Sequence, residues 1–233
     1  MTDRFLFPAR APVSAEIAQS DMLFPVRRIF CVGRNYADHV REMGSIPTDS
    51  SPIFFTKPAD ALVANGSSIN FPMSCTNLHH EVELVIALDQ PVIKANPQSA
   101  KTAIFGMATG IDLTRRDLQK QAKNNGQPWD IAKAFDQSAP MGAITPLKGF
   151  PTKLTGAIQL SVNGEQRQAG DLSQMLWTVP ELISQLSHLF QLLPGDLIFT
   201  GTPAGVGPLL PGDQVSASIE GTSPLKIQIL AAE

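Results

Sequence analysis

Seventeen glycines and 19 prolines are spread along 233 residues instead of collecting in one linker. Proline breaks helix interiors and glycine weakens helix and strand interiors alike, so that spacing cuts the chain into short runs joined by turns. Residues 29–32, 53–56 and 80–88 are apolar, strand-like runs bounded by turn residues. The expected fold class is α+β and mainly β, with a few short helices. No interior shift in composition marks a second domain: residues 1–27 read as an extended arm, and 28–233 as one domain.

The helices that remain carry explicit signals. Thr178 and Glu181 form a capping box before Leu182, Ile183, Leu186, Leu189, Phe190 and Leu193, and Pro194-Gly195 closes the run. His188 falls on the polar side of that helix and is set aside. Asn163-Gly164 between two strand-like runs predicts a hairpin. Leu-Leu-Pro-Gly-Asp occurs at 192–196 and again at 209–213, each time as a turn ahead of a strand.

Composition excludes several functions. Hydrophobic residues make up 43% and charged residues 17%, which indicates a well-buried interior and not a disordered chain. A net charge of -3 offers no electropositive surface, so neither nucleic acid nor anionic membrane is an expected partner. Only Cys31 and Cys75 occur, without CxxC spacing, which disfavours a disulfide scaffold and a zinc ribbon. With no apolar run near the roughly 20 residues of a membrane span, the default expectation is a cytoplasmic protein.

The chemistry concentrates in acidic residues. In HHEVELVIAL (79–88), Val82, Leu84, Ile86 and Leu88 form one apolar strand face, and Glu81 and Glu83 share the other. Two residues along a strand span roughly 7 Å, close enough for both carboxylates to reach one divalent cation. The same pair also fits a solvated strand edge. Asp112 is the candidate third ligand, at a strand-to-helix junction where it also fits a residue preceding a helix cap formed by Thr114 and Asp117. Three carboxylates without cysteine favour Mg²⁺, or Mn²⁺, over Zn²⁺.

His39 and Glu42 lie three apart on a short helix with Tyr36, Val40 and Met43 as its apolar stripe. The pair fits either an activated base or a surface ion pair. Lys133 sits in an apolar stretch, WDIAKAFD, where a buried ammonium needs a carboxylate or a substrate anion. Arg116 and Gln119, in the first turns of a helix, are candidates to grip a substrate carboxylate. TGTPAGVG (200–207) lacks the Gly-Lys-Ser/Thr ending of a nucleotide loop and reads as a tight loop lining a pocket.

Six segments in order, CVGRNYADHVREMG, FFTKPADAL, HHEVELVIAL, GIDLTRRDLQ, WDIAKAFDQSAP and LIFTGTPAGVG, resemble the fumarylacetoacetate hydrolase superfamily, in particular its acylpyruvate and fumarylpyruvate hydrolase branch. The resemblance implies a mixed β-sandwich roll, usually a homodimer, with Glu81, Glu83 and Asp112 holding Mg²⁺. It implies His39 and Glu42 as a dyad on a lid segment, Lys133 as a catalytic lysine, and Arg116, Gln119 and Thr202 as substrate contacts. The implied reaction is hydrolysis of the carbon–carbon bond of a small keto-acid substrate, an acylpyruvate. The segments MTDRF, FPVRRI and KAFDQSAP point to fumarylpyruvate, cleaved to fumarate and pyruvate. The rivals are an oxaloacetate decarboxylase using the same metal, a keto-acid isomerase or hydratase, and a binding module that senses keto acids without turning them over.

Overall fold

A computed structural model describes residues 5–42 and 52–232. Strands make up 39% of it and helices 20%, which makes the fold mainly β against an average near 20–25% strand. A central eight-stranded mixed sheet has the order Ile53–Lys57, Arg28–Gly33, Asp196–Phe199, Val82–Leu88, Ile104–Ile111, Ala139–Met141 and Leu62–Ala64, with Thr145–Pro146 added beside Ile104–Ile111. Arg28–Gly33 runs parallel to Asp196–Phe199, and Ala139–Met141 parallel to Leu62–Ala64; the other pairs in this sheet are antiparallel. A second sheet of five strands includes the predicted hairpin, Ala157–Val162 with Glu165–Asp171, and its turn residues Asn163 and Gly164 both adopt positive φ, 52° and 83°.

The alternation read from HHEVELVIAL is realised, but both strand faces are buried. Val82, Leu84, Ile86 and Leu88 join the larger core, with the inward residues of the five-stranded sheet and Leu182, Ile183 and Leu186 of the Val179–Leu189 helix. Val85 and Ala87 face a second core with Cys31, Leu197 and Phe199. Each fully buried aliphatic side chain contributes about 1.5–3 kcal/mol relative to exposure, so this strand is anchored from both sides. The five-stranded sheet instead alternates strictly in Gln214–Ile219 and Leu225–Leu230, one face inward and one to solvent.

Ser14–Glu16 and Leu23–Pro25, within the segment expected to form an arm, pair as a two-stranded ribbon. Its Ala15 and Phe24, with Ile17 and Val26 beside it, cover the second core. Helix Val179–Leu189 begins at Thr178, whose backbone N donates to Glu181 Oε2 at 2.8 Å as its sequence predicts, and His188 is exposed. Both Leu-Leu-Pro-Gly-Asp turns precede strands, with Gly195 and Gly212 at φ 94° and 96°. No helix among the described residues is long and apolar enough to cross a membrane.

Gly110 faces Glu83 in strand register. A Cβ at this position would lie 2.5 Å from Val85 Cγ2 and 2.7 Å from Phe199 Cε1, closer than side chains tolerate. Gly110→Ala is therefore expected to cost about 1–3 kcal/mol through overpacking. In calorimetry it should lower the melting temperature by several degrees; an unchanged melting temperature would refute the packing argument.

Candidate active site and metal centre

The three candidate ligands converge because two paired strands end together. Val82 lies opposite Ile111, Glu81 immediately precedes the first strand and Asp112 immediately follows the second, and Asp112 N donates to Glu81 O at 2.8 Å. Glu81 thus lies outside the strand expected to hold it, yet its carboxylate shares a site with those of Glu83 and Asp112. One ligand oxygen from each lies within 4.8 Å of the others, and all three residues are buried.

Burying three carboxylates demands compensation. Lys133 Nζ lies 2.7 Å from Glu81 Oε2, 2.6 Å from Asp112 Oδ2 and 2.6 Å from Thr114 Oγ1. Arg116 Nη1 donates to Glu81 Oε1 at 2.9 Å. Lys57, wholly buried, places Nζ 2.9 Å from Asp112 Oδ1 and donates to the carbonyls of Leu113 and Lys133. Burial works to raise the Glu81 pKa, but Lys133 and Arg116 hold it down to about 2. The same carboxylates keep Lys133 protonated against its burial.

Glu83 is compensated least. Its Oε2 accepts a hydrogen bond from Gly201 N at 2.8 Å, and burial, followed by the like charges of Asp112 and Glu81, pushes its carboxyl well above the usual range. Asp112 Oδ1 is buried without a hydrogen bond, the Lys57 contact being an ion pair outside hydrogen-bonding geometry. An undercompensated carboxylate, an oxygen with spare lone pairs and an all-oxygen donor set fit a hard divalent cation.

His39 is buried on helix Ala37–Glu42, with Nδ1 3.3 Å from Glu42 Oε2. Burial lowers its pKa below 6.5, against the opposing influence of Glu81 and Glu42. Glu42 also accepts Gly205 N at 3.1 and 3.2 Å, which ties this helix to the TGTPAGVG loop. Met43 and Gly44, expected to complete the apolar stripe and stop the helix, lie outside the described residues.

One cleft is lined by His39, Glu81, Glu83, Asp112, Arg116, Gln119, Lys133 and Thr202, with Glu42 reaching it through His39. Gln119 Oε1 accepts from Arg116 at 2.9 Å, and Thr202 Oγ1 accepts from Gln168 Nε2 at 2.8 Å. A roomier hollow of about 390 Å³, lined in part by Phe150, Leu154, Met175 and Pro180, contains no carboxylate, so the chemistry belongs to the smaller cleft. Thr114 does not cap a helix: it lies in a short strand opposite His79, and the helix runs Arg116–Asn125. Asp117 instead accepts from the backbone and hydroxyl of Thr76.

Five residues around this site carried little or no signal in the sequence. Lys57 had one signal, a lysine ending the apolar run IFFTK. Asn35 donates to the carbonyls of Thr200 and Trp177 and accepts from Trp177 N, stapling three segments beside Gly201; Gly201, at φ 97°, would place a Cβ 2.7 Å from Asn35 Cβ. Gln168 Oε1 lies 3.0 Å from His80 Nδ1 and accepts from Val82 N, so it braces the ligand strand against Thr202. Lys123 and Arg34 line the cleft mouth.

A family model described as fumarylacetoacetate (FAA) hydrolase C-terminal matches residues 28–230. The mitochondrial oxaloacetate tautomerase of Mus musculus is 41% identical over 207 residues, 89% of this chain and 93% of that protein. A fumarylpyruvate hydrolase of Ralstonia sp is 38% identical over 190 residues, 80% of this chain and 98% of that protein. The crystal structure of fumarylpyruvate hydrolase from Pseudomonas aeruginosa in complex with Mn²⁺ and pyruvate superposes with a TM-score of 0.94 at 45% identity, covering 98% of this chain and 100% of that one.

A cation bound only by the folded state raises stability by mass action, about 2.7 kcal/mol at one hundred times Kd. Titrating Mn²⁺ should therefore raise the melting temperature of the wild-type protein and leave Asp112→Asn unmoved. Equal shifts in the two proteins would remove Asp112 from the ligand set.

Proposed function

The chain belongs to the fumarylacetoacetate hydrolase family, and from that premise we propose that it hydrolyses the carbon–carbon bond of an acylpyruvate, with fumarylpyruvate as substrate. The carrying observation is a buried histidine–glutamate pair in one cleft with three converging carboxylates. The near full-length likeness to a fumarylpyruvate hydrolase supports the choice of substrate.

Glu81, Glu83 and Asp112 would hold Mg²⁺ or Mn²⁺, which when bound supplies Lewis-acid polarisation of the 2-oxo group. Burial keeps the His39 imidazole neutral near pH 7. Glu42, facing Nδ1, favours the tautomer protonated there and leaves Nε2 as the base. His39 takes a proton from water as the hydroxyl adds to C4. The C3–C4 bond then breaks and its electron pair enters the enolate of the pyruvate half. The hydroxyl stays on C4 as part of the fumarate carboxyl group, and the proton on His39 passes to C3. Lys133, charged and fixed at the cleft floor, stabilises negative charge developing on the 2-oxo oxygen. Phe5, Leu6, Phe7, Met22 and Leu23 are exposed in the single chain, which supports a homodimer in which a second copy covers the arm.

The likeness to oxaloacetate tautomerases supports a second reading. Keto–enol conversion of oxaloacetate needs only a base moving a proton between C3 and the 2-oxo oxygen, with no attacking water. Purified protein with Mn²⁺ should cleave fumarylpyruvate, and His39→Ala should lose about 10²–10⁴ of kcat/KM while still binding Mn²⁺. A wild-type protein that speeds decay of enol-oxaloacetate yet leaves fumarylpyruvate intact would replace the hydrolase reading with the tautomerase one.

The base must be neutral, and its pKa lies below the ordinary 6.5. The expected kcat/KM profile is therefore flat on the acid side down to about pH 6.5 and falls only below it. An acid limb centred above pH 7 would exclude His39 as the base.

A further inference from the structure

We propose that Arg34 and Lys123 form a subsite for the distal carboxylate of a dicarboxylic 2-oxo acid, so that they select a diacid over the matching monoacid. The inference rests on the acylpyruvate reading for the orientation of the substrate, with its 2-oxo acid end at the three carboxylates.

The cations around the cleft divide into two groups. Lys133 and Arg116 are engaged with Glu81 at 2.7 and 2.9 Å, and Lys133 and Lys57 with Asp112 at 2.6 and 2.9 Å. Arg34 and Lys123 line the same cleft, and among the described residues neither pairs with a carboxylate. Positive charge is thus spent at the floor and unspent at the mouth.

Helix geometry sets the spacing between the two groups. Arg116, Gln119 and Lys123 occupy positions i, i+3 and i+7 of helix Arg116–Asn125, a single stripe. Arg116 meets Glu81 at the inner end, and Lys123 lies two turns further out, roughly 10 Å along the axis. Trp129, which also lines the cleft, holds Lys123 Nζ 5.2 Å from its ring centroid and packs against Phe55 at 5.8 Å, so the ammonium is kept beside the cavity.

Arg34 directly follows strand Arg28–Gly33 and reaches the same cleft. Its φ of 65° is uncommon for a residue with a side chain, and the following Asn35 is clamped by its three hydrogen bonds. Burial, then the like charges of Arg116 and Arg34, push the Lys123 ammonium down to about 8 against the opposing pull of Glu81.

Titration calorimetry on the full chain with Mn²⁺, using 2-oxoheptanedioate and 2-oxoheptanoate, tests the subsite without turnover. The wild-type protein should bind the diacid at least about tenfold more tightly, a difference near 1.4 kcal/mol. That ratio should fall towards one in Lys123→Met and in Arg34→Met, and persist in Lys123→Arg. No diacid preference in the wild type, or a ratio unchanged in both methionine variants, would overturn the subsite. A protein that keeps the diacid preference but does not cleave fumarylpyruvate would support the subsite and overturn only the hydrolase reading.

Discussion

Three carboxylates buried at the joined ends of two antiparallel strands set the terms for everything around them. A buried ion pair often costs as much in desolvation as it returns in attraction, so Lys57, Lys133 and Arg116 are poorly explained as devices for stability. They are better explained as holding negative charge in place for a ligand. Each comes from a different element: the end of strand Ile53–Lys57, the end of the short helix Asp130–Lys133 and the start of helix Arg116–Asn125. Placing the charges therefore fixes how those elements sit against the central sheet, and the site and the fold become one constraint.

Rigidity at the ligands follows from the core. Glu83 is flanked in sequence by Val82 and Leu84, both fully buried in the larger core, while Val85 packs on the other face of the strand. Gly110, just across from Glu83, admits the close approach of Val85 and Phe199 to its backbone. The loop side of the cleft is tied down by hydrogen bonds instead: Gly201 to Glu83, Gly205 to Glu42, and Asn35 to both Thr200 and Trp177. Sheet residues thus set the floor of the site, and loop residues set its walls.

What was legible in the sequence follows from which interactions are local. Strand alternation in 79–88, the Asn163-Gly164 hairpin and the Thr178 cap depend on neighbours within a few residues, and all three are present. The i, i+3 spacing of His39 and Glu42 likewise predicted their contact. Lys57 escaped because a lysine in a short strand looks like a surface residue until Asp112, 55 positions later, is seen beside it. The local pattern of Thr114 with Asp117 fits a cap, yet a long-range bond from Lys133 and pairing with His79 decide its place. Within the arm expected over residues 1–27, the ribbon pairing and the cover it gives the second core are tertiary facts that no local pattern announces.

Charge balance links the floor of the cleft to its choice of ligand. Glu81, Glu83 and Asp112, counted as ionised, are offset by Lys57, Lys133 and Arg116 before any ion or substrate arrives. A divalent cation at the carboxylates then leaves the pocket positive, and Arg34 and Lys123 at the mouth add to that excess. A low-dielectric cleft amplifies such an imbalance. A neutral molecule leaves it unrelieved and a single carboxylate relieves it in part, whereas two carboxylates separated along an extended chain answer both ends.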